Sequence, residues 1–269
     1  MSDFFLSELR LVFGRRRNQA ALLVLAGPPL LIAIAVKVSA SGPGQGAPDF
    51  FSSITQNGLF VALAALTIEM GLFLPLATSL VAGDAVAGEA HSGTLRYLLT
   101  VPVSRTRLLL TKLAAIVAYV VTATLVVTVV GMVAGVILFG GGSMTTISGT
   151  SLGGLAAVLR VLLAALYLAV GLCSLGAIGL FVSTLTEQPL AAMLATVVIS
   201  TASFVLDTIP QVAWLHPYLV THQWSAFADL FRAPIALTDI GHGLYLALAY
   251  GVVATLAALA RFRGKDITS

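Results

Sequence analysis

The chain has 269 residues, of which 58% are apolar and only 9% charged, and its formal net charge is +3. Soluble globular domains carry about 25% charged residues to keep their surfaces hydrated, so composition excludes a soluble fold. The basic residues adjoin apolar runs rather than forming a separate basic face, which argues against nucleic-acid binding. Composition therefore predicts a protein that lipid solvates over much of its surface.

The N-terminal segment 1–18 predicts a short helix lying on the inner membrane surface. Phe5, Leu9 and Val12 recur near helical spacing with charged residues between them, and a basic cluster at 15–17 follows. The next apolar run, 20–36, is longer than the core of a signal peptide, which spans about 7–15 residues. We therefore expect a retained first membrane span.

Six segments are predicted to cross the membrane, since a crossing helix needs about 20 residues. They are 19–39, 59–82, 108–139, 153–183, 188–206 and 242–260. Of the 14 Lys and Arg residues, four precede the first span, four lie between or just inside the second and third, and three follow the last. The positive-inside rule then predicts a multi-pass protein of the plasma (inner) membrane with both termini cytoplasmic.

The predicted outer connections differ in character. Segments 40–58 and 140–152 are rich in Gly and weakly charged, which predicts flexible loops. Segment 207–241 is too polar to span and carries many aromatic residues, including Trp214 and Trp224. It predicts short helices, or a re-entrant pair, at the outer interface.

The inner connection at 83–107 is richer than a simple turn requires. Asp84 and Glu89 flank small residues, 92–94 (Ser-Gly-Thr) is expected to break and restart the helix, and Pro102 ends the second element. This pattern predicts a short helix that exposes small and acidic residues, supported by a second helix on the bilayer. Such a shape suits docking to a soluble partner.

The same connection resembles the permeases of ABC exporters of the type 2 class. Their second and third spans are joined by a sequence of the form E-x-x-x-G-T-L-x-x-L-L-x-x-P-V-S-R. Ten positions match in order: Glu89, Gly93, Thr94, Leu95, Leu98, Leu99, Pro102, Val103, Ser104 and Arg105. The resemblance covers the whole chain as one transmembrane permease domain, 1–269, with an all-α membrane fold.

The resemblance implies a role for each matching residue. Residues 84–92, which include Asp84, His91 and Ser92, would form a coupling helix that enters a cleft on a separate ATP-binding subunit. Glu89 would be its acidic contact, Gly93 with the adjacent Thr94 its hinge, and Arg105 a headgroup anchor. The complex would contain two permeases, identical or homologous, and two ATPases.

No catalytic residue or cofactor site is predicted in this chain. It lacks G-x-x-x-x-G-K-[ST], so the backbone loop and lysine that hold nucleotide phosphates are missing. The resemblance therefore places ATP and Mg on the partner subunit. The few charges in the spans favour an apolar or amphipathic cargo, such as a drug, a lipid or a hydrophobic peptide.

Glu69 and Arg160 are the ionisable residues inside the spans that the sequence singles out. Glu69 lies in the second and Arg160 in the fourth, at similar depths counted from the outer ends. Because a charge in lipid is costly, each is expected to face the protein interior. They are interpreted either as a pair lining a pathway or as a structural tie between helices.

Three alternative functions remain open at this stage. A metal-linked permease of the copper-maturation type is weakly indicated by His216 and His222, although soft ligands are scarce and no metal site is predicted. An ATPase-independent secondary transporter is not favoured, because no internal repeat is visible. An intramembrane serine protease would need Ser151 and His242 to meet.

Overall fold

The computed structural model describes residues 2–40, 57–93 and 104–264, and their fold is almost entirely helical. These ranges contain nine α-helices: α1 Ser2–Gly14, α2 Arg16–Leu25, α3 Gly27–Ala40, α4 Leu59–Glu69, α5 Phe73–His91, α6 Arg105–Phe139, α7 Gly154–Leu185, α8 Pro189–Asp207 and α9 Thr238–Gly264. Two 3-10 helices, Pro210–Tyr218 and His222–Phe231, lie between α8 and α9.

Within the described ranges, five helices are long and apolar enough to cross a membrane, or six if one bent pair counts as a single span. The first is Arg16–Ser39, which consists of α2 and α3. The other four are the helices α6, α7, α8 and α9. The prediction of an all-α, multi-pass membrane protein is confirmed at this level. The predicted boundaries of the first, third, fourth and fifth spans agree within a few residues.

The second predicted span, 59–82, is wrong in two respects. It is broken after Glu69 into α4 and α5, which are bent by 58° relative to each other, and α5 continues to His91. Leu72 leaves the helical region at the break, with φ −145° and ψ −54°. Pro75 suits the first turn of a new helix, because its missing N–H needs no partner there.

Helices α4 and α6 pack closely because small residues face each other along their contact. A Cβ added at Gly131 would lie 2.7 Å from the Ala62 Cα atom, and one added at Gly135 would lie 1.9 Å from the Gly58 carbonyl oxygen. Close backbone approach through small residues is typical of membrane helices. It fixes α4 against the C-terminal half of α6.

The segment between α6 and α7 forms a β-hairpin, so the prediction of a flexible loop at 140–152 is wrong. Strands β1 (Met144–Thr145) and β2 (Ser151–Leu152) pair antiparallel. The Ile147 N–H donates to the Phe231 carbonyl at 2.9 Å, which ties the hairpin to the second 3-10 helix. The prediction of short helices in 207–241 is confirmed, and Trp224 is buried there against Gly171 of α7.

Basic residues from distant parts of the chain meet at one end of the helix bundle, here called the basic end. Lys112 of α6 meets α1, Arg17 of α2 meets α5, and Arg105 of α6 meets the C-terminal turn of α9. The opposite end holds Lys37, which donates to the Leu138 carbonyl, and Arg160. The sequence had divided these residues between two sides in the same way.

Candidate functional site

The C-terminal half of α5 carries most of the predicted coupling residues. As predicted, the helix stops at 92–93: Gly93 adopts φ +69°, a left-handed conformation that favours glycine at a helix end. The Ser92 hydroxyl donates to the Gly88 carbonyl at 2.9 Å. His91 and Ser92 are exposed at this tip. Thr94 and the rest of the predicted second helix, 94–103, lie outside the described residues.

Glu89 is not the exposed acidic contact that the sequence predicted. It is only 8% exposed, and its carboxylate pairs with the Lys112 ammonium group of α6. The same ammonium lies 3.2 Å from the Glu8 carboxylate of α1, and only 3% of the Lys112 side chain is exposed. The prediction failed because 84–92 is no separate helix: α5 runs on unbroken and turns Glu89 toward α6.

Asp84, one turn before Gly88 on α5, is largely buried as well. Its carboxylate accepts from both Arg15 and Arg17, with the Arg17 contact at 3.1 Å. A Cβ added at Gly88 would lie 2.5 Å from the Asp84 carboxylate, so glycine leaves room for the ion pairs. These contacts attach the start of the first span to α5.

We call the six residues Glu8, Arg15, Arg17, Asp84, Glu89 and Lys112 the charged joint. It links α1, α2, α5 and α6 at the basic end. A cavity of about 30 Å³ lies among these side chains. Space of that size is enough for about one water molecule.

Hydrogen bonds around the joint fix the turn between α1 and α2. The Asn18 amide donates to the Val12 carbonyl at 2.8 Å, and the Tyr119 hydroxyl of α6 donates to the Asn18 carbonyl at 3.1 Å. Sequence reasoning missed Glu8 and Lys112 as partners. The signal was present, because a lysine placed inside a membrane span calls for an acidic neighbour.

Ser183 of α7 holds α5 from the other side. Its hydroxyl donates to the Gly83 carbonyl at 2.7 Å and accepts from the Val86 and Ala87 N–H groups at 3.1 and 2.9 Å. A Cβ added at Gly83 would lie 2.6 Å from the Met193 backbone nitrogen of α8. The C-terminal half of α5 is therefore held between the charged joint and helices α7 and α8.

Arg105 stabilises a helix end within the protein. Its guanidinium donates to the carbonyl oxygens of Phe262 and Arg263 at 3.2 and 3.0 Å. Arg263 in turn donates to the Thr106 hydroxyl at 2.8 Å. Basic side chains near the last carbonyls of a helix satisfy acceptors that the helix itself leaves open. Arg105 thus joins the start of α6 to the end of α9.

The predicted pair of Glu69 and Arg160 is wrong. Arg160 donates to the carbonyl oxygens of Leu230 and Arg232 at 2.7 and 3.2 Å, which supports its alternative role as a structural tie. Glu69 is fully buried, and neither carboxylate oxygen has a hydrogen-bond partner among the described residues. The depth count behind the pair assumed a straight second span, and the break invalidates it.

The contacts of α4 with α6 show what lies beside Glu69. Ala62 faces Gly131 and Gly58 faces Gly135, so the antiparallel register brings Glu69 to the level of Thr124. The Thr124 hydroxyl is committed to the Val120 carbonyl at 2.9 Å. Within the described residues, Glu69 is therefore a polar group without a compensating partner at a helix break, the kind of residue that calls for a functional explanation.

The residues of the alternative functions occupy separate places at the opposite end. The His222 ring nitrogen lies 2.6 Å from the Asp207 carboxylate, and that of His216 lies 3.9 Å from it. No group of three or more His, Cys, Asp or Glu side chains in the described ranges is placed to hold a metal ion. Ser151 lies in β2 and His242 in the first turns of α9, both exposed.

These features define the class: an all-α, multi-pass membrane protein whose N-terminal helix is joined to its bundle by buried ion pairs. The chain belongs to the family described as protein of unknown function (DUF2705), which matches residues 31–268. Comparison with curated proteins gives no match.

Proposed function

We propose that the chain is the membrane-spanning permease subunit of an ATP-driven exporter of the type 2 class. In this proposal the bent pair α4–α5 counts as one of six spans, and the basic end faces the cytoplasm. Two permeases combine with two separate ATP-binding subunits, which hold ATP and Mg. The observation that carries the proposal is the charged joint, which connects the tip of α5 to three other helices.

The position of the joint supports a coupling role. His91 and Ser92 form the exposed tip of the C-terminal half of α5, between Glu89 and Gly93 of the motif that resembles a coupling connection. Because Ser183 and the charged joint hold α5 on both sides, this tip cannot move without moving the helices that α5 contacts. The displacement would pass to α1, α6 and α7, and so to the membrane-spanning bundle.

The positions of the first and last spans support the proposed topology. The start of the first span and the end of the last both lie there, through Arg17 and through the contact of Arg105 with Arg263. An even number of spans and a cytoplasmic basic end are mutually consistent under the positive-inside rule. α1 would then lie at the inner membrane surface.

An apolar or amphipathic cargo is favoured by the surfaces between the spans. A groove of about 370 Å³ lies between α6, α7 and α9, with a lining that includes Leu113, Cys173 and Leu248. Its lining is almost wholly apolar, as the binding sites for such ligands usually are.

The test is co-purification with an ABC-type ATP-binding subunit encoded in a neighbouring reading frame. We expect a stable complex whose ATP hydrolysis depends on the permease. Replacing Gly93 with Val should lower complex formation or uncouple hydrolysis, because the left-handed turn beside the tip cannot accept a branched side chain. Wild-type protein that neither binds nor stimulates such a subunit would contradict the proposal.

Gly149→Val is the matched control. Gly149 has a similar backbone conformation, with φ +80°, but it lies in the hairpin at the opposite end. Both variants therefore introduce similar backbone strain, while only Gly93→Val alters the proposed docking tip. Equal effects of the two variants on ATP hydrolysis would assign the loss to general strain and remove the coupling role of Gly93.

A further inference from the structure

A lateral groove opens at the basic end between α2, α5 and α8. Its volume is about 440 Å³. Four polar side chains line it, Arg17, Asp84, His91 and Gln188, together with apolar ones that include Leu80, Leu190 and Met193. Three other grooves between the spans have linings with at most one charged side chain.

The polar side of the groove carries N–H donors that are only partly used within the protein. Arg17 uses one guanidinium nitrogen on Asp84 at 3.1 Å, and 46% of its side chain remains exposed. A guanidinium group has five N–H donors, so most stay available. His91 and Gln188 are exposed and face the same space.

Together with Arg15, which lies just outside its lining, the groove has a positive charge balance. Asp84 is the acidic residue of the lining, and its carboxylate is shared by Arg15 and Arg17. One positive charge is left over from these three residues. Arginine favours phosphate because its planar fork matches the oxygen geometry.

The remaining side of the groove is apolar and faces outward from the bundle. Leu190, in the first turn of α8, is 61% exposed. Leu80 and Met193 are half-buried beside it. A ligand for this groove must combine an anionic head with an apolar body and must reach it from the side.

We propose that this groove binds one anionic phospholipid. Its phosphate lies against Arg17 and His91, and its glycerol and upper acyl chains cover Leu190 and Met193. Because Arg17 also contacts Asp84, the bound headgroup is part of the connection between α2 and α5. The proposal does not depend on the exporter function, since it rests only on the groove.

The test uses native mass spectrometry of the purified protein with phosphatidylglycerol or phosphatidylcholine added. One phosphatidylglycerol should stay bound more strongly than phosphatidylcholine. Arg17→Gln should weaken phosphatidylglycerol binding about fivefold, the size expected for one basic residue at an anionic lipid surface. Arg16→Gln removes the same charge one residue away, outside the groove, and should leave the bound lipid nearly unchanged.

A steric pair of variants makes the location specific. Leu190→Trp should fill the groove and remove phosphatidylglycerol binding, whereas Leu194→Trp, one turn further along α8 and 51% exposed, should not. Both positions are exposed, so both proteins should fold, and unchanged melting temperatures check this. Glycerol 3-phosphate, which has the headgroup anion without acyl chains, should not compete.

Three results would overturn the proposal. Equal losses for Arg16→Gln and Arg17→Gln would indicate only general surface attraction. Equal retention of phosphatidylcholine and phosphatidylglycerol would remove the charge argument. Displacement by glycerol 3-phosphate at equal concentration would identify a site for a soluble phosphate compound instead of a lipid.

Discussion

Among the described residues, only the basic end of the bundle holds buried ion pairs between side chains, beside the carbonyl contacts of Arg105. At the basic end, ion pairs between side chains join four helices, as in the contacts of Lys112 with Glu8 and Glu89. At the opposite end, Lys37 and Arg160 donate to backbone carbonyls. A carbonyl tie depends on one side chain, whereas an ion-pair network depends on all its members. A single charge change at the basic end should therefore weaken the contacts among several helices at once.

The largest effect is expected from Lys112→Met. It would leave two buried carboxylates facing each other without their cation, and breaking a buried pair typically costs about 3–5 kcal/mol. Thermal unfolding in detergent should show a large loss of stability. Adding Glu8→Gln and Glu89→Gln should restore most of it, because no uncompensated charge remains. A triple variant as unstable as Lys112→Met would show that packing, not charge, holds this end together.

Arg160→Met should cost less. It removes the donor for two carbonyl oxygens of the second 3-10 helix, and such losses are worth about 1–3 kcal/mol. Arg232→Gln is the control, because Arg232 pairs with Asp229 on the surface and 53% of its side chain is exposed. Its unfolding midpoint should stay near that of the wild type. A loss for Arg160→Met as large as for Lys112→Met would erase the contrast between the ends.

Ser183→Ala tests the clamp on α5. The change removes a hydroxyl that bonds to three backbone groups of α5, and we expect a loss of about 1 kcal/mol. Ser174→Ala is a suitable control on the same helix, since the Ser174 hydroxyl bonds only within α7, to the Gly171 carbonyl. Hydrogen exchange of the Val86 and Ala87 amides should rise in the first variant and not in the second.

The smallest effect on stability is expected from Glu69→Gln. Glu69 lies between the basic end and the opposite end of the bundle. Because neither Glu69 oxygen has a partner among the described residues, an isosteric neutral amide should change stability by less than about 1 kcal/mol. Thermal unfolding checks this, with Glu69→Leu as a second variant without a polar group. A large loss in the amide variant would show that Glu69 pairs with a charge in the membrane.

The sequence predicted the helices well because hydrocarbon imposes length and apolarity on each crossing. Residues 105–139 and 154–185 follow this rule closely. The end of α5 at Gly93 was also predictable, since the need for a left-handed residue is local. These features depend on short stretches of chain and on the solvent alone.

Features that depend on which helix lies beside which were not predictable. The sequence pattern of the connection favours a separate element with Glu89 exposed, and only the contact of Glu89 with Lys112 of α6 shows otherwise. Depth counted along straight helices pairs Glu69 with Arg160, and the break in the second span invalidates that count. Gly71 and Pro75 are local signals of the break, but the bend between α4 and α5 depends on the different helices against which each half packs.

The break in the second span has a consequence for what surrounds the protein. Gly71 and Leu72 are exposed on the side of this chain, at a point where the backbone is not helical. Hydrocarbon does not tolerate irregular backbone that is open to lipid, because peptide groups outside a helix find no hydrogen-bond partner there. Leu72 itself keeps backbone hydrogen bonds to Glu69 and Leu76. We expect water or another protein, rather than lipid, beside those peptide groups of the break that have no partner among the described residues.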